Sequence, residues 1–252
     1  MKSVGVSFYM KEVFVMESAR KYIAEFIGTF ILVTLGCGTA MLVGCDSKSG
    51  GGYILTALAF GLAIVAMAYS LGNISGGHVN PAVSLAVLMN GGMSVTDFFG
   101  YLVSQCLGAL AGSGLLAMIF DMGKITDQTG GYGSNGLAGV GDNAPAGLIV
   151  EIVLTCIFVL AILGVTSSKQ SHGSFGGLII GLSLVGVHIL GIGLTGTSVN
   201  PARSLGPAIV AAISGNSGAM NCIWVFIAGP FIGAALAAVI YRFLEGGLAK
   251  ED

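Results

Sequence analysis

Charge is what this sequence has least of. Asp, Glu, Lys and Arg make up 9% of its 252 residues, against about 25% in a typical soluble domain. Much of the surface must therefore face something other than water, and lipid is the obvious candidate. The net charge is only −2, so there is no basic surplus to attract nucleic acid. Histidine is also scarce, with three in the chain. No Ser/His/Asp cluster, metal-ligand spacing or cofactor motif appears, which argues against an enzyme. Cys37, Cys45, Cys106, Cys156 and Cys222 are not spaced as ligands. They sit in or beside apolar segments and read as reduced packing residues.

What is abundant is apolar sequence, 54% of the chain, with 42 glycines scattered largely inside apolar runs, where small residues let helices approach closely. Six runs are long enough to span a bilayer: Tyr22–Val43, Tyr53–Leu71, Phe98–Phe120, Ala146–Val165, Gly176–Leu194 and Cys222–Phe243. Each is near the ~20 residues a helix needs to cross about 30 Å of hydrocarbon. The first run is too long for the core of a signal peptide and lacks a small-x-small cleavage site. Residues 1–19 read as a cytoplasmic extension, with Met16 as an alternative start, and 244–252 as a cytoplasmic tail. With six spans the termini share one side. That side carries Lys2, Lys11, Arg20, Lys21, Lys169, Arg242 and Lys250, against Lys48 and Lys124 on the other, which predicts cytoplasmic termini. The tenth cation, Arg203, lies in an apolar setting and belongs to the argument below.

Two shorter apolar segments remain, Asn80–Met89 and Asn200–Ile213. Ten to fourteen helical residues reach roughly 15–21 Å, enough for a half-crossing only. These segments are related. A shift of 120 residues lays Phe60–Leu85 on Ile180–Leu205, matching Gly61/Gly181, Leu62/Leu182, Val65/Val185 and Gly76/Gly196, then Val79-Asn80-Pro81-Ala82 on Val199-Asn200-Pro201-Ala202, and Ser84-Leu85 on Ser204-Leu205. At a shift of 126, Glu25 and Thr29 pair with Glu151 and Thr155. Repeat one covers about 20–120 and repeat two about 146–243. Three spans is an odd number, so the second repeat enters from the opposite face. Such inverted repeats place their site near the midplane, between interrupted helices.

Asn-Pro-Ala suits that meeting point. Asn is a strong N-cap and Pro is favoured at the first helical position. The Asn oxygen can accept a backbone N–H one turn in, leaving its NH₂ as a donor into the lumen. Each helix N-terminus adds about half a positive charge. One such tripeptide is explained by capping alone. Two, at equivalent repeat positions, point to a pore.

The sequence here resembles the major intrinsic protein, or aquaporin, family. The resemblance is carried by Ser75-Gly-Gly-His-Val-Asn-Pro-Ala-Val-Ser84, Thr197-Ser-Val-Asn-Pro-Ala-Arg-Ser-Leu-Gly-Pro-Ala208 and Ala24-Glu-Phe-Ile-Gly-Thr-Phe30, and it covers about 20–243. It implies an all-α membrane fold with six transmembrane helices, two half-spanning helices and an inverted 3+3 repeat. It also implies one pore per chain, a homotetramer in membrane lipid, and water as permeant. The central constriction falls on Asn80, Pro81, Ala82, Asn200, Pro201 and Ala202. A second, selective constriction, carried over by distance from the motifs, falls on Phe60, His188, Thr197 and Arg203. Phe, His and Arg at these places look like the bacterial water-selective branch. Glycerol-conducting relatives tend to place a second aromatic and a small residue there, and Asp where this chain has Ser204.

Each of these residues also has a plainer reading. Phe60 alone is core packing, and His188 alone is a hydrogen-bonded histidine between helices. Glu25 and Glu151, as intramembrane acids, suggest a proton relay by default. Their pairing across the repeat suggests that they hold the loop before each half-helix. His78, two residues before the first motif, reads as a brace for that loop. The expectation is a passive water channel of a bacterial inner membrane, without metal or cofactor. Its rivals are a glycerol or small-solute facilitator and a proton-coupled secondary transporter.

Overall fold

The computed structural model describes residues 2–45, 51–169 and 173–246, with 2–15, 51 and 173 described by backbone alone. Lys48, Lys250 and the side chains of Lys2 and Lys11, counted above for orientation, lie outside the described residues, as does most of the expected tail.

Among the described residues all regular structure is helical. The order is α1 (Lys2–Val43), α2 (Gly51–Ser70), α3 (Gly72–Ser75), α4 (Pro81–Met89), α5 (Val95–Gly123), α6 (Ala144–Thr166), α7 (Gly176–Thr195), α8 (Pro201–Ile213), α9 (Gly218–Asn221) and α10 (Ile223–Leu244), with single 3₁₀ turns at Ala138–Val140 and Gly173–Phe175. Six helices are long and apolar enough to span a membrane: Met16–Val43 within α1, Gly52–Ser70 within α2, and α5, α6, α7 and α10. These are the six expected spans, and in two of them the start is moved by local capping. Ser94 caps α5 by accepting from Asp97 N at 3.0 Å, and Asn143 caps α6 by accepting from Ala146 N at 2.9 Å. Both caps start the helix before the apolar run begins. At the other end of the chain, α1 runs unbroken from Lys2, so residues 2–19 of the expected extension are continuous with the first span. The turns α3 and α9 have no apolar period and were not expected.

The two halves pack in the same way. α1 lies against α5 as α6 lies against α10, and α2 meets α7 at the centre. Each half-helix leans on the last span of the opposite half, α8 on α5 and α4 on α10. On the line between halves, Gly61 and Gly181 face each other. A Cβ on Gly61 would lie 2.6 Å from Gly181 O, and a Cβ on Gly181 would lie 2.6 Å from Gly61 O, each also striking Val185 or Val65. The backbones touch only because neither residue has a side chain.

Polarity runs opposite to that of a soluble domain. Ile27, Leu35, Leu62, Leu107, Ile157 and Leu236 point outward and are well exposed, while Glu25, Gln105, Glu151, Thr197, His188 and Arg203 are buried. An apolar exterior over a polar interior fits a lipid-facing bundle.

Candidate functional site

The half-helices begin where their N-caps are built. Asn80 Oδ1 accepts from Ala82 N at 2.9 Å. Asn200 Oδ1 accepts from Ala202 N at 3.1 Å and Arg203 N at 3.2 Å. Pro81 and Pro201 each occupy the first turn. The side-chain NH₂ groups depart from expectation. Asn80 Nδ2 donates to Val199 O at 2.7 Å, and Asn200 Nδ2 donates to Val79 O at 2.9 Å. One hydrogen of each amide therefore ties the two loops together, and only the second is left for the lumen. Sequence reasoning assigned both to the lumen, because it could not place one loop against the other.

Val79 and Val199 carry this exchange on strained backbone, at φ 44° and 46°. Positive φ is an outlier for a β-branched residue, costing about 1–3 kcal/mol. Two glutamates hold the strain. Glu25 Oε1 accepts from Ser75 Oγ at 2.7 Å and His78 N at 2.9 Å, while Oε2 accepts from Val79 N at 2.6 Å and Gln105 Nε2 at 2.7 Å. Glu151 Oε1 accepts from Thr195 Oγ1 at 2.7 Å and Ser198 N at 2.9 Å, and Oε2 from Val199 N at 2.9 Å. Ser75, His78 and Val79 correspond to Thr195, Ser198 and Val199 in the repeat. Both acids thus contact the loop before a half-helix, in matching form. His78 adds Nδ1 to Ser84 Oγ at 3.0 Å, which braces its loop against α4.

Three of the four expected filter residues, Phe60, His188 and Arg203, come together, while Thr197 is buried without a contact to them. The His188 ring stacks on Phe60 with centroids 4.7 Å apart, and Arg203 Cζ lies 4.7 Å from the centroid of the same ring. His188 Nδ1 lies 3.0 Å from Leu184 O. A carbonyl can only accept, so Nδ1 carries the proton and Nε2 of the neutral ring is an acceptor. His188 Nε2, Thr197 Oγ1 and Arg203 Nε are buried without a protein partner. This cluster therefore holds an unused acceptor and an unused donor beside an aromatic wall.

Three cavities run in series past these groups. One of about 860 Å³ opens at the C-terminal end of α10 and is bordered by His78, Arg242 and Glu245. One of about 20 Å³ lies between His78, Asn80, Asn200, Phe60, His188 and Arg203. One of about 460 Å³, bordered by Cys45, Thr56, Gln128 and Arg203, opens at the other end. The first two share His78 and the last two share Arg203. The middle cavity has room for about one water, which needs roughly 10–15 Å³.

Sequence reasoning missed several supports. Arg203 Nη1 donates to Gly133 O at 3.0 Å and to Asn135 Oδ1 at 2.8 Å, from the link between the repeats. Tyr101 OH donates to Ser75 O at 2.6 Å, and Gln105 reaches Glu25. Asn135 has no counterpart at the repeat shift and so left no signal. Tyr101 and Gln105 are a polar pair four residues apart inside an apolar run, which was a usable sign.

Comparison with known proteins agrees with this geometry. The family model described as "Major intrinsic protein" matches residues 12–241. The chain is 43% identical over 229 residues to a protein named Aquaporin Z from Brucella melitensis, covering 90% of this chain and 98% of that protein. It is 40% identical over 231 residues to one of the same name from Rhodopseudomonas palustris, covering 90% and 94%. Its fold superposes on the X-ray structure of the aquaglyceroporin from Plasmodium falciparum with a TM-score of 0.81 at 24% identity, over 92% of this chain and 98% of that one.

Proposed function

The chain belongs to the major intrinsic protein family, and on that premise we propose that it is a passive water channel that excludes protons, ions and polyols. The observation that carries the reading is the filter: His188, Phe60 and Arg203 close on a cavity of about 20 Å³. A water fits there and a three-carbon polyol does not. The Aquaporin Z relatives, at 40–43% identity, favour the same permeant.

A water in the filter accepts from Arg203 Nε and donates to His188 Nε2, while Phe60 offers nothing to a larger hydroxylated solute. The fixed guanidinium repels cations. At the centre, the second N–H of Asn80 and of Asn200 meet the positive ends of α4 and α8. A water held there accepts from both sides and cannot relay a proton, the behaviour expected of aquaporin-type pores. Glu25 and Glu151 are occupied by backbone N–H groups, which disfavours a coupled proton relay. The reading contains no catalytic step and no cofactor.

The finer assignments belong to the same proposal. The pore domain spans 20–243. The protein is a homotetramer in membrane lipid, sits in a bacterial inner membrane, and has cytoplasmic termini. Arg20, Lys21, Lys169 and Arg242 support that orientation.

Stopped-flow light scattering on proteoliposomes of purified protein tests the function. Rapid shrinkage in sucrose with glycerol entry at the lipid background is the expected result. Fast glycerol entry, or solute movement driven by a pH gradient, would overturn it.

A further inference from the structure

Arg203 is anchored by uncharged groups. Its Nη1 donates to Gly133 O and to Asn135 Oδ1, and the one ion pair among the described residues is Lys21 with Glu17. Asn135 is 3% exposed and uses every side-chain atom that can bond. Its Oδ1 accepts from Arg203 Nη1 and from Ser204 Oγ, both at 2.8 Å. Its Nδ2 donates to Thr195 O at 3.1 Å. The orientation of the amide is fixed by its neighbours, since a guanidinium can only donate and a carbonyl can only accept. One side chain thus joins the link between the repeats, the end of α7 and the start of α8.

We propose that Asn135 is the positioning residue that holds Arg203 across the pore by a neutral acceptor, setting the width of the filter without cancelling its charge. Asparagine suits both demands. A shorter side chain would leave Nη1 with Gly133 O alone, a single acceptor about which the guanidinium can swing toward the outer cavity. Aspartate would keep the acceptor in place but set a negative charge 2.8 Å from the cation that guards the pore. Asp127 prepares this arrangement from a distance. Its carboxylate accepts from Thr129 N at 2.9 Å, Thr129 Oγ1 at 2.7 Å and Tyr132 N at 2.7 Å, folding the segment that presents Gly133 and Asn135.

The inference rests on the water-channel reading, and the test separates the two. Wild-type proteoliposomes must first show fast water flux, and their failure would sink that reading alone. Asn135→Ala is then expected to raise glycerol uptake by about tenfold, with water flux retained. Asn135→Asp is expected to keep glycerol out but to raise proton leak, read with an entrapped pH dye, by about tenfold through loss of the uncompensated charge. Asn216→Ala is the structural control. Asn216 Nδ2 donates to Gly130 O at 2.9 Å, so this change loosens the same segment without touching Arg203, and selectivity should hold. Should Asn135→Asp fail to assemble, the comparison of Asn135→Ala with Asn216→Ala decides. Wild-type selectivity in Asn135→Ala, or the same leak in Asn216→Ala, overturns the proposal.

Discussion

Asn80 and Asn200 each donate a side-chain hydrogen bond to the carbonyl immediately before the other, Asn80 to Val199 O and Asn200 to Val79 O. Each motif caps its own half-helix with oxygen and grips the opposite loop with nitrogen. An aspartate can do the first and not the second. Asn200→Asp is expected to set a carboxylate oxygen against Val79 O and to cost about 1–3 kcal/mol. A lowered melting temperature of the detergent-solubilised protein is the readout, and an unchanged melting temperature would refute the coupling.

The filter makes a separate prediction. Arg203→Val with His188→Ala removes the cation and the ring stacked on Phe60. Glycerol uptake should then rise well above the wild-type level, with some proton leak. Unchanged solute selectivity would show that the constriction has been misplaced.

Glu25→Gln and Glu151→Gln replace an acceptor oxygen with a donor facing backbone N–H groups. Each is expected to cost about 3 kcal/mol or more, since buried donors are left unmet at strained residues. Glu25 accepts four donors and Glu151 three, so Glu25→Gln should be the worse. Thermal unfolding in detergent ranks them. A proton-coupled transporter would instead keep its stability and lose only its response to pH.

Much of this was legible in the sequence, for physical reasons. The spans follow from runs of apolar residues, and the half-helices from runs too short to cross. Glu25 and Glu151 could be read as loop holders because each recurs at the same place in its repeat. Phe60, His188, Thr197 and Arg203 were expected from the family resemblance, by their distance from the motifs, and at Phe60, His188 and Arg203 the two halves do not match. Asn135 was not legible, since it lies in a polar link whose path depends on the folded loop around Asp127. Nor was the cross-gripping of the asparagines, which requires the two loops to be placed in space. The positive φ of Val79 and Val199 runs against residue preference, so local sequence argued the other way.

The end of α10 provides a pH prediction away from the pore. Ser167 Oγ donates to Glu245 Oε1 at 2.6 Å, and Lys169 Nζ donates to Glu245 O at 2.9 Å. The Ser167 hydroxyl, with help from Lys169, holds the Glu245 carboxyl below its ordinary range. The folded value is the lower one, so this latch is present above the usual carboxylate range and is lost as pH falls through the folded value. Amide exchange at 241–246, corrected for intrinsic rate, should quicken on acidification, and Glu245→Gln should remove that pH dependence.

Gly61→Ala should force α2 and α7 apart, because its Cβ would lie 2.6 Å from Gly181 O. A cost of about 1–3 kcal/mol is expected from overpacking, seen in thermal unfolding, and a neutral result would mean that the helices can part freely.

That contact also has a historical side. Gly61 and Gly181 are the same position of the repeat, and each is the other's neighbour. If the two halves descend from one shorter ancestor that paired with a copy of itself, a change here struck both sides of the seam at once. After fusion the copies were free to drift, yet along this line neither could drift alone. At Phe60, His188 and Arg203 the other half carries Ile180, Ala68 and Val83, so there the two copies no longer mirror each other.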